Sequence, residues 1–162
     1  MNHPTRRQIL SRGDFHAALR SAFAEAAQAG ARAILLCDAS YLDWPLSERG
    51  VIDDLTNWVD SRRELLVHAH SFDEVARRHG RWTEWRRQWS HVVRCRTCAE
   101  IEPADFPTVC LIGDAISVRL VDPVHHCGLA SREAADALAC RETIDAVSQR
   151  SVDAFPVTTL GL

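Results

Sequence analysis

Apolar residues in the first hundred positions alternate between a helical spacing and short continuous runs. They repeat at the helical spacing over residues 15–29, with Asp14 in the N-cap position and Gly30 just beyond the end. Ala33–Cys37 is a continuous apolar run, which is typical of a strand buried on both faces. The same alternation predicts a helix after Ser47, a strand at 65–69, a helix that opens with a Ser71/Glu74 capping box and breaks at Gly80, and a strand at 92–96. Because each crossover is long enough to hold a helix, we predict βαβ units and a parallel sheet.

The second half of the chain contains a stretch, residues 108–122, that is typical of a β-hairpin. An apolar run ends at Gly113-Asp114, a second strand with an alternating pattern follows, and Ser131 then precedes a last amphipathic helix. We therefore predict an α/β fold of three layers. Helices cover both faces of a mixed, mostly parallel sheet of about five strands, which ends in the antiparallel hairpin. The predicted domain spans residues 14–154, between a flexible lead at 1–13 and a tail at 155–162.

Composition excludes several classes of chemistry. The chain has no lysine, so all 19 basic residues are arginine, a bias typical of a high-GC genome. Schiff-base enzymes, PLP enzymes and phosphate sites built on a lysine are therefore excluded. The formal net charge of −3 argues against a globally basic nucleic-acid binder. We see no secretion signal and no membrane span, and six cysteines without such a signal indicate reduced thiols, so we predict a cytoplasmic protein.

The cysteines contain one motif with metal-ligand spacing. Cys95 and Cys98 form a CxxC pair, and His125, His126 and Cys127 follow about thirty residues later. Thiolate and imidazole are the ligands that tetrahedral zinc prefers, so Cys95, Cys98, His125 and Cys127 are candidate ligands. Two interpretations stay open: a zinc-stabilised domain, or ordinary core and surface thiols of a cytosolic protein.

The densest basic run lies in residues 77–96, where tryptophans interleave with arginines. Arginine and aromatic side chains together can bind phosphates and stack on bases, so Arg86, Arg87 and Arg96 are candidate contacts for an anionic ligand or nucleic acid. However, the tryptophans at 82, 85 and 89 follow helical spacing. A core-facing stripe with solvated arginines on its flanks is the alternative.

Polar residues also follow the predicted strands. Asp38 ends the first strand, His70 follows the second and Cys98 the third. Ligand sites in open α/β sheets lie at the carboxyl ends of parallel strands, so these three side chains are expected to converge on one crevice. A site for a small-molecule enzyme using Asp38 and His70 in acid–base work is one possible outcome.

The order of elements, with strands at 107–112 and 116–121 before a last helix, resembles one half of the phospholipase D superfamily. In that family the motif HxKxxxxD lies along the strand entering the hairpin. The corresponding stretch is PTVCLIGD at residues 107–114, with Asp114 as the terminal aspartate. Pro107 stands at the position of the histidine and Val109 at that of the lysine.

The resemblance implies a degenerate domain. The family histidine is the phosphoryl-accepting nucleophile and the lysine helps to bind phosphate, and neither proline nor valine can do this work. We therefore predict a non-catalytic phospholipase D-like domain without a cofactor, acting as a binding or protein-interaction module. Because active members pair two halves, a homodimer or a protein partner is the expected assembly. Asp114 is expected to serve the turn.

Overall fold

Strands and helices alternate through most of residues 4–157, the part of the chain that the computed structural model describes. The strands are β1 (Arg6–Ile9), β2 (Ala33–Cys37), β3 (Glu64–Ala69), β4 (Val93–Thr97), β5 (Thr108–Ile112), β6 (Ile116–Asp122), β7 (Cys127–Ser131) and β8 (Val152–Asp153). The helices are α1 (Arg12–Ala29), α2 (Arg49–Trp58), α3 (Asp73–Arg78), α4 (Gly80–Gln88) and α5 (Ala134–Gln149). A 3₁₀ turn, Pro103–Asp105, lies between β4 and β5.

These strands form one sheet in the order β1-β7-β6-β5-β2-β3-β4-β8. The pairs β2–β3 and β3–β4 are parallel, and the five other pairs are antiparallel. The predicted mixed α/β fold is confirmed, whereas the predictions of about five strands and of mostly parallel pairing are wrong. The difference arises because β5 enters beside β2 in the opposite direction, and because three short strands extend the sheet.

The missed strands lack a strong apolar pattern. Residues 6–9 lie in the stretch predicted as a flexible lead, yet their backbone pairs with β7 from Arg6↔Ser131 to Ile9↔Gly128. Most side chains of β1 are exposed and only Ile9 is buried, so hydrogen bonding to a neighbour defines this strand. The two-residue β8 likewise exists only by pairing with Arg96 and Thr97 of β4.

Helices cover both faces of the sheet, as predicted. The helices α1 to α4 pack on one face over a large core that includes Phe15, Trp58 and Trp82. The helix α5 packs alone on the other face, over a smaller core that includes Leu35, Val109 and Ile144. Between residues 4 and 157, no helix is both long enough and apolar enough to cross a membrane.

The first helix shows how local sequence sets an element. Its N-cap is Ser11, one turn before the predicted Asp14, and the Ser11 hydroxyl accepts a hydrogen bond from the Asp14 amide at 3.0 Å. The Asp14 carboxylate in turn accepts from the Leu10 amide at 3.1 Å, so the two side chains satisfy amide groups at the helix start. Gly30 ends the helix in the left-handed conformation with φ 65°, as predicted.

Other predicted helix starts are displaced. The helices α2, α3 and α5 begin after Glu48, Phe72 and Glu133, and none of these residues makes a side-chain cap. The predicted capping box of Ser71 and Glu74 is absent because the Ser71 hydroxyl accepts from the Asp73 amide instead. Ser131 does the same for the Glu133 amide, so both serines form turns immediately before a helix.

The segment after β8 packs against α3 and α4. The ring of Phe155 stacks on Phe72 with centroids 5.2 Å apart, and the Arg86 guanidinium lies 4.9 Å above the Phe155 ring. Phe155 thus belongs to the folded domain and not to the predicted tail, whose residues 158–162 lie outside the described part of the chain.

Candidate functional site

The carboxyl ends of β2, β3 and β4 meet at one edge of the sheet, and β5 starts at the same edge. Asp38 follows β2 there. One of its carboxylate oxygens accepts from the Thr108 hydroxyl at 2.5 Å, and the other accepts from the backbone amides of Ser40 at 3.2 Å and Tyr41 at 2.8 Å. The Thr108 bond ties the loop after β2 to the start of β5, and the two amide bonds hold the shape of that loop, so Asp38 holds this edge together.

His70 and Cys98 lie along the same edge but do not join Asp38 in one acid–base site. The His70 ring has its Nδ1 3.0 Å from the Ile101 carbonyl and meets Phe106 edge to face, so it holds the connection after β4. Cys98 is completely buried in the core under α5. Within residues 4–157 no hydrogen bond joins the side chains of Asp38, His70 and Cys98, so the three do not form one hydrogen-bonded site.

The predicted zinc ligands are separated by the sheet. Cys95 is buried on the α1–α4 face, whereas Cys98 is buried on the α5 face. His125 and Cys127 lie at the β6–β7 end, five strand positions from β4, which corresponds to roughly 24 Å. In the described part of the chain, no three His, Cys, Asp or Glu residues are grouped so that they could hold a metal ion. His125 instead bonds the Asp122 carboxylate at 2.7 Å, which lowers the pKa of Asp122.

The structure predicts that one cysteine reacts readily. Burial raises the pKa of Cys95 to about 11 and also raises the pKa of Cys37 and Cys110, which keeps these thiols protonated at neutral pH. Cys127 is the cysteine with partial exposure. We expect Ellman's reagent to titrate one thiol per native chain and all six after unfolding in guanidinium. A Cys127→Ser variant identifies the reactive thiol. Rapid reaction of Cys95 and Cys98 in the native protein would contradict the burial of these two residues.

The tryptophans of the basic run face the core. Trp82 and Trp85 are buried, and Trp89 packs against the same core, so the interpretation as a core-facing stripe is correct. Two of the three candidate arginines also have structural partners. Arg86 is buried with its guanidinium over the Phe155 ring, and Arg96 donates to the Asp153 carboxylate at 2.9 Å and to the Ser151 carbonyl at 2.8 Å.

The remaining arginines of α3 and α4 face solvent. Arg87 lies 3.7 Å from Glu84, an exposed and loose pair. Arg77 and Arg78 share one carboxylate, that of Glu74, at 3.0 and 3.6 Å. Arg81 donates to the Ser47 carbonyl at 2.8 Å, a neutral acceptor that leaves its charge uncompensated. We call these four residues, Arg77, Arg78, Arg81 and Arg87, the arginine surface.

The stretch that resembles the phospholipase D motif has its three key positions apart. Val109, at the lysine position, is completely buried. Pro107, at the histidine position, lines a groove beside α5. Asp114 lies at the far end of β5, roughly 20 Å away, where it accepts a bond from Arg141 at 2.9 Å. Asp114 thus belongs to the turn between β5 and β6, as expected, and does not meet Pro107.

Arg119 was not recognised as a candidate from the sequence. It lies on β6 between the buried residues Val118 and Leu120, and its side chain lines the same groove as Pro107. A charged residue in the middle of a strand whose neighbours are buried is the signal that marks it. A smaller cavity of 110 Å³ shares Thr108 and Leu120 with this groove and is lined by Asp38, Asp43 and His126.

Comparison with known proteins relates this fold to two solved structures. TrmBL2, described as an archaeal chromatin protein that shows a novel mode of DNA binding, is similar with a TM-score of 0.66 at 8% identity, over 94% of this chain and 54% of that one. NucT from Helicobacter pylori is similar with a TM-score of 0.57 at 9% identity, over 92% of this chain and 98% of that one. No protein-family model and no curated protein sequence matches the chain. The chain thus spans about half the length of TrmBL2, and at these identities the likeness is one of fold.

Proposed function

We propose that this protein is a non-catalytic domain of phospholipase D-like architecture that binds double-stranded nucleic acid. The observation that carries the proposal is the excess of positive charge on the arginine surface. Its four exposed arginines have two carboxylate partners, Glu74 and Glu84, which leaves a surplus of two positive charges in a chain whose formal net charge is −3. A local concentration of arginine in an otherwise acidic protein provides a defined attachment site for a polyanion.

The carboxylates near the arginine surface do not cancel its charge. Glu74 provides a single negative charge to both Arg77 and Arg78, and Arg81 has a neutral partner. Exposed ion pairs of this kind contribute on the order of 0–1 kcal/mol, so a phosphate can replace the carboxylate at little cost. The planar guanidinium also matches phosphate geometry with two parallel hydrogen bonds.

The burial of the tryptophans favours a duplex over a single strand. Single-strand binders stack bases on exposed aromatic rings. Trp82 and Trp85 are unavailable for such stacking because they are buried in the core. Contacts from the arginine surface would therefore go to backbone phosphates, which gives binding with little sequence preference.

The fold comparison is consistent with this proposal. TrmBL2, which shares the fold over 94% of this chain, is described as a DNA-binding chromatin protein. The comparison supports the choice of DNA as the first polyanion to test, while the arginine surface determines where this chain would contact it.

The test is binding to a short fluorescent DNA duplex, measured by anisotropy over a range of salt concentrations. We expect affinity to fall steeply with salt, because each neutralised phosphate releases counterions and contributes a slope of about −0.9 in log affinity against log salt. Replacing Arg77, Arg78 and Arg81 together by alanine is expected to lower affinity at least about tenfold and to flatten the slope by roughly 2–3.

A matched control removes the same charge elsewhere. Arg132, Arg141 and Arg150 pair with Glu25, Asp114 and Glu100 outside the arginine surface. The triple alanine variant of these residues has an identical net charge and is expected to keep most of the affinity. An equal loss in both triple variants, or binding that salt does not weaken, would refute the proposal.

The proposal also predicts that the domain does not hydrolyse phosphodiesters. Pro107 and Val109 occupy the positions of the catalytic histidine and lysine, and a chain without lysine cannot supply that lysine from another position. We expect no turnover of bis-p-nitrophenyl phosphate above the rate of a heat-denatured sample. Turnover that disappears in an Asp38→Asn or His70→Ala variant would show instead an active site at the carboxyl edge of the sheet.

A further inference from the structure

A groove of 390 Å³ lies on the α5 face, opposite the helices that carry the arginine surface. Its floor is formed by β6 and β7, one wall by α5, and the other by the segment before β5. Most of its lining is apolar, with Phe106, Pro107, Val121 and Leu129 among the contributing residues. A volume in this range suits a small organic molecule.

Arg119 is the positive charge in this groove. In the sheet it pairs with Val109 on one side and Leu129 on the other, so its side chain stands on the α5 face among apolar neighbours. It is partly buried and forms no salt bridge with any acidic residue between positions 4 and 157. An arginine so placed retains strong hydrogen-bond donors for an external acceptor.

Two carboxylates, Asp105 and Asp136, line the groove together with Arg119, and neither forms a salt bridge with it. Asp136 is held by the Arg6 guanidinium at 2.8 and 3.1 Å and accepts from the Ser131 hydroxyl at 2.5 Å, which lowers its pKa and commits its charge to Arg6. Burial raises the pKa of the Cys140 thiol and outweighs the lowering by Ser117 and Arg119. That thiol stays neutral at physiological pH and supplies no counter-charge.

We propose that this groove binds a small organic anion, with its apolar body against Phe106, Pro107 and Leu129 and its carboxylate or phosphate on the Arg119 guanidinium. The apolar lining contributes affinity through burial, and the single guanidinium selects for one negative charge and orients it. This site lies on the opposite face of the sheet from the arginine surface, so anion binding in the groove does not depend on nucleic-acid binding.

The test uses two fluorescent probes with nearly the same body. 8-Anilino-1-naphthalenesulfonate carries one negative charge, and N-phenyl-1-naphthylamine is its uncharged counterpart. We expect saturable 1:1 binding of the anionic probe to the native protein. The Arg119→Met substitution is expected to lower the affinity for the anionic probe by about tenfold to a hundredfold and to leave the affinity for the neutral probe nearly unchanged. Arg119→Lys should retain part of the preference for the anion.

Two further variants locate the site. Ala139 is an exposed residue of α5 in the groove wall, so Ala139→Trp is expected to block both probes without disturbing the core. Arg141→Met removes a charge from the same helix outside the groove and is expected to change neither. Urea unfolding of each variant establishes that it is folded. The proposal would be overturned if binding of the anionic probe did not saturate, or if Arg119→Met bound that probe as tightly as the wild type does. Full binding of the probes by Ala139→Trp would overturn it as well. Displacement of the anionic probe by benzoate, compared with its displacement by phenyl phosphate, shows whether the site prefers a carboxylic acid or a phosphate ester.

Discussion

Replacing Gly128 with alanine is expected to lower the free energy of unfolding by at least about 3 kcal/mol, enough to unfold a marginally stable domain. A Cβ atom on Gly128 would lie 1.9 Å from the carbonyl oxygen of Arg119 and 2.7 Å from the Cα of Leu120. Both are backbone atoms of the neighbouring strand β6, so no side chain can move aside. Gly128 does not have a positive φ, so the effect is purely steric.

The destabilisation caused by Gly128→Ala would be concentrated where β6 and β7 pair irregularly. The register shifts between Leu120 and Asp122, and Gly128 lies opposite Leu120 at this bulge. Relieving the clash would separate the two strands and displace Arg119, so the groove would be lost with the stability. Urea unfolding followed by tryptophan fluorescence measures the change.

Gly50 provides the matched control. A Cβ built on Gly50 meets nothing within 4 Å, and the residue lies in the first turn of α2. Gly50→Ala is therefore expected to leave stability unchanged or to raise it by up to about 1 kcal/mol, because alanine has the higher helix propensity. If the two alanine variants unfold at the same urea concentration, this result would contradict the close packing of Gly128 against β6.

The second large effect is expected at Asp38, where alanine should cost about 2–4 kcal/mol. The substitution removes the three hydrogen bonds to Thr108, Ser40 and Tyr41, and it leaves two backbone amides without an acceptor. Asp38→Asn should recover part of this loss, since an amide oxygen still accepts from the backbone. The measurement is again urea unfolding, with the midpoint and the slope reported separately.

Asp43 is the appropriate comparison for Asp38, since it lies in the same loop. Its side chain is half exposed and makes contacts of 3.4 Å with Arg12 and His126. Asp43→Ala is expected to change stability by less than about 1 kcal/mol. A stable Asp38→Ala protein would show that Asp38 is not needed to hold the loop, and it would restore Asp38 as a candidate acid–base residue.

Parts of the candidate site could have been judged from the sequence by applying strand periodicity strictly. Cys95 and Cys98 are three positions apart, and residues an odd number apart along an extended chain point to opposite faces. Their separation into the two cores follows from this rule. Arg119 is marked in the same way, because it interrupts the buried residues of β6. The role of Arg119 could not be predicted, because no local pattern shows that α5 and the segment before β5 form a groove around it.

Elements with a local signal could be predicted from the residues alone. Helix α1 with its glycine end, the buried strands β2 to β4, and the hairpin around Gly113 all follow from periodicity and turn chemistry. The absence of lysine and of a histidine at position 107 likewise limits the chemistry without any structure.

The partners of these elements depend on contacts between distant parts of the chain. The strands β1, β7 and β8 exist because a neighbour pairs with their backbone, and the predominance of antiparallel pairs depends on where β5 enters the sheet. The same contacts make Asp38 a structural residue and place Arg119 in a mainly apolar groove. The physical reason is that pairing and burial join residues far apart in the chain, whereas a sequence pattern records only what each residue's near neighbours require.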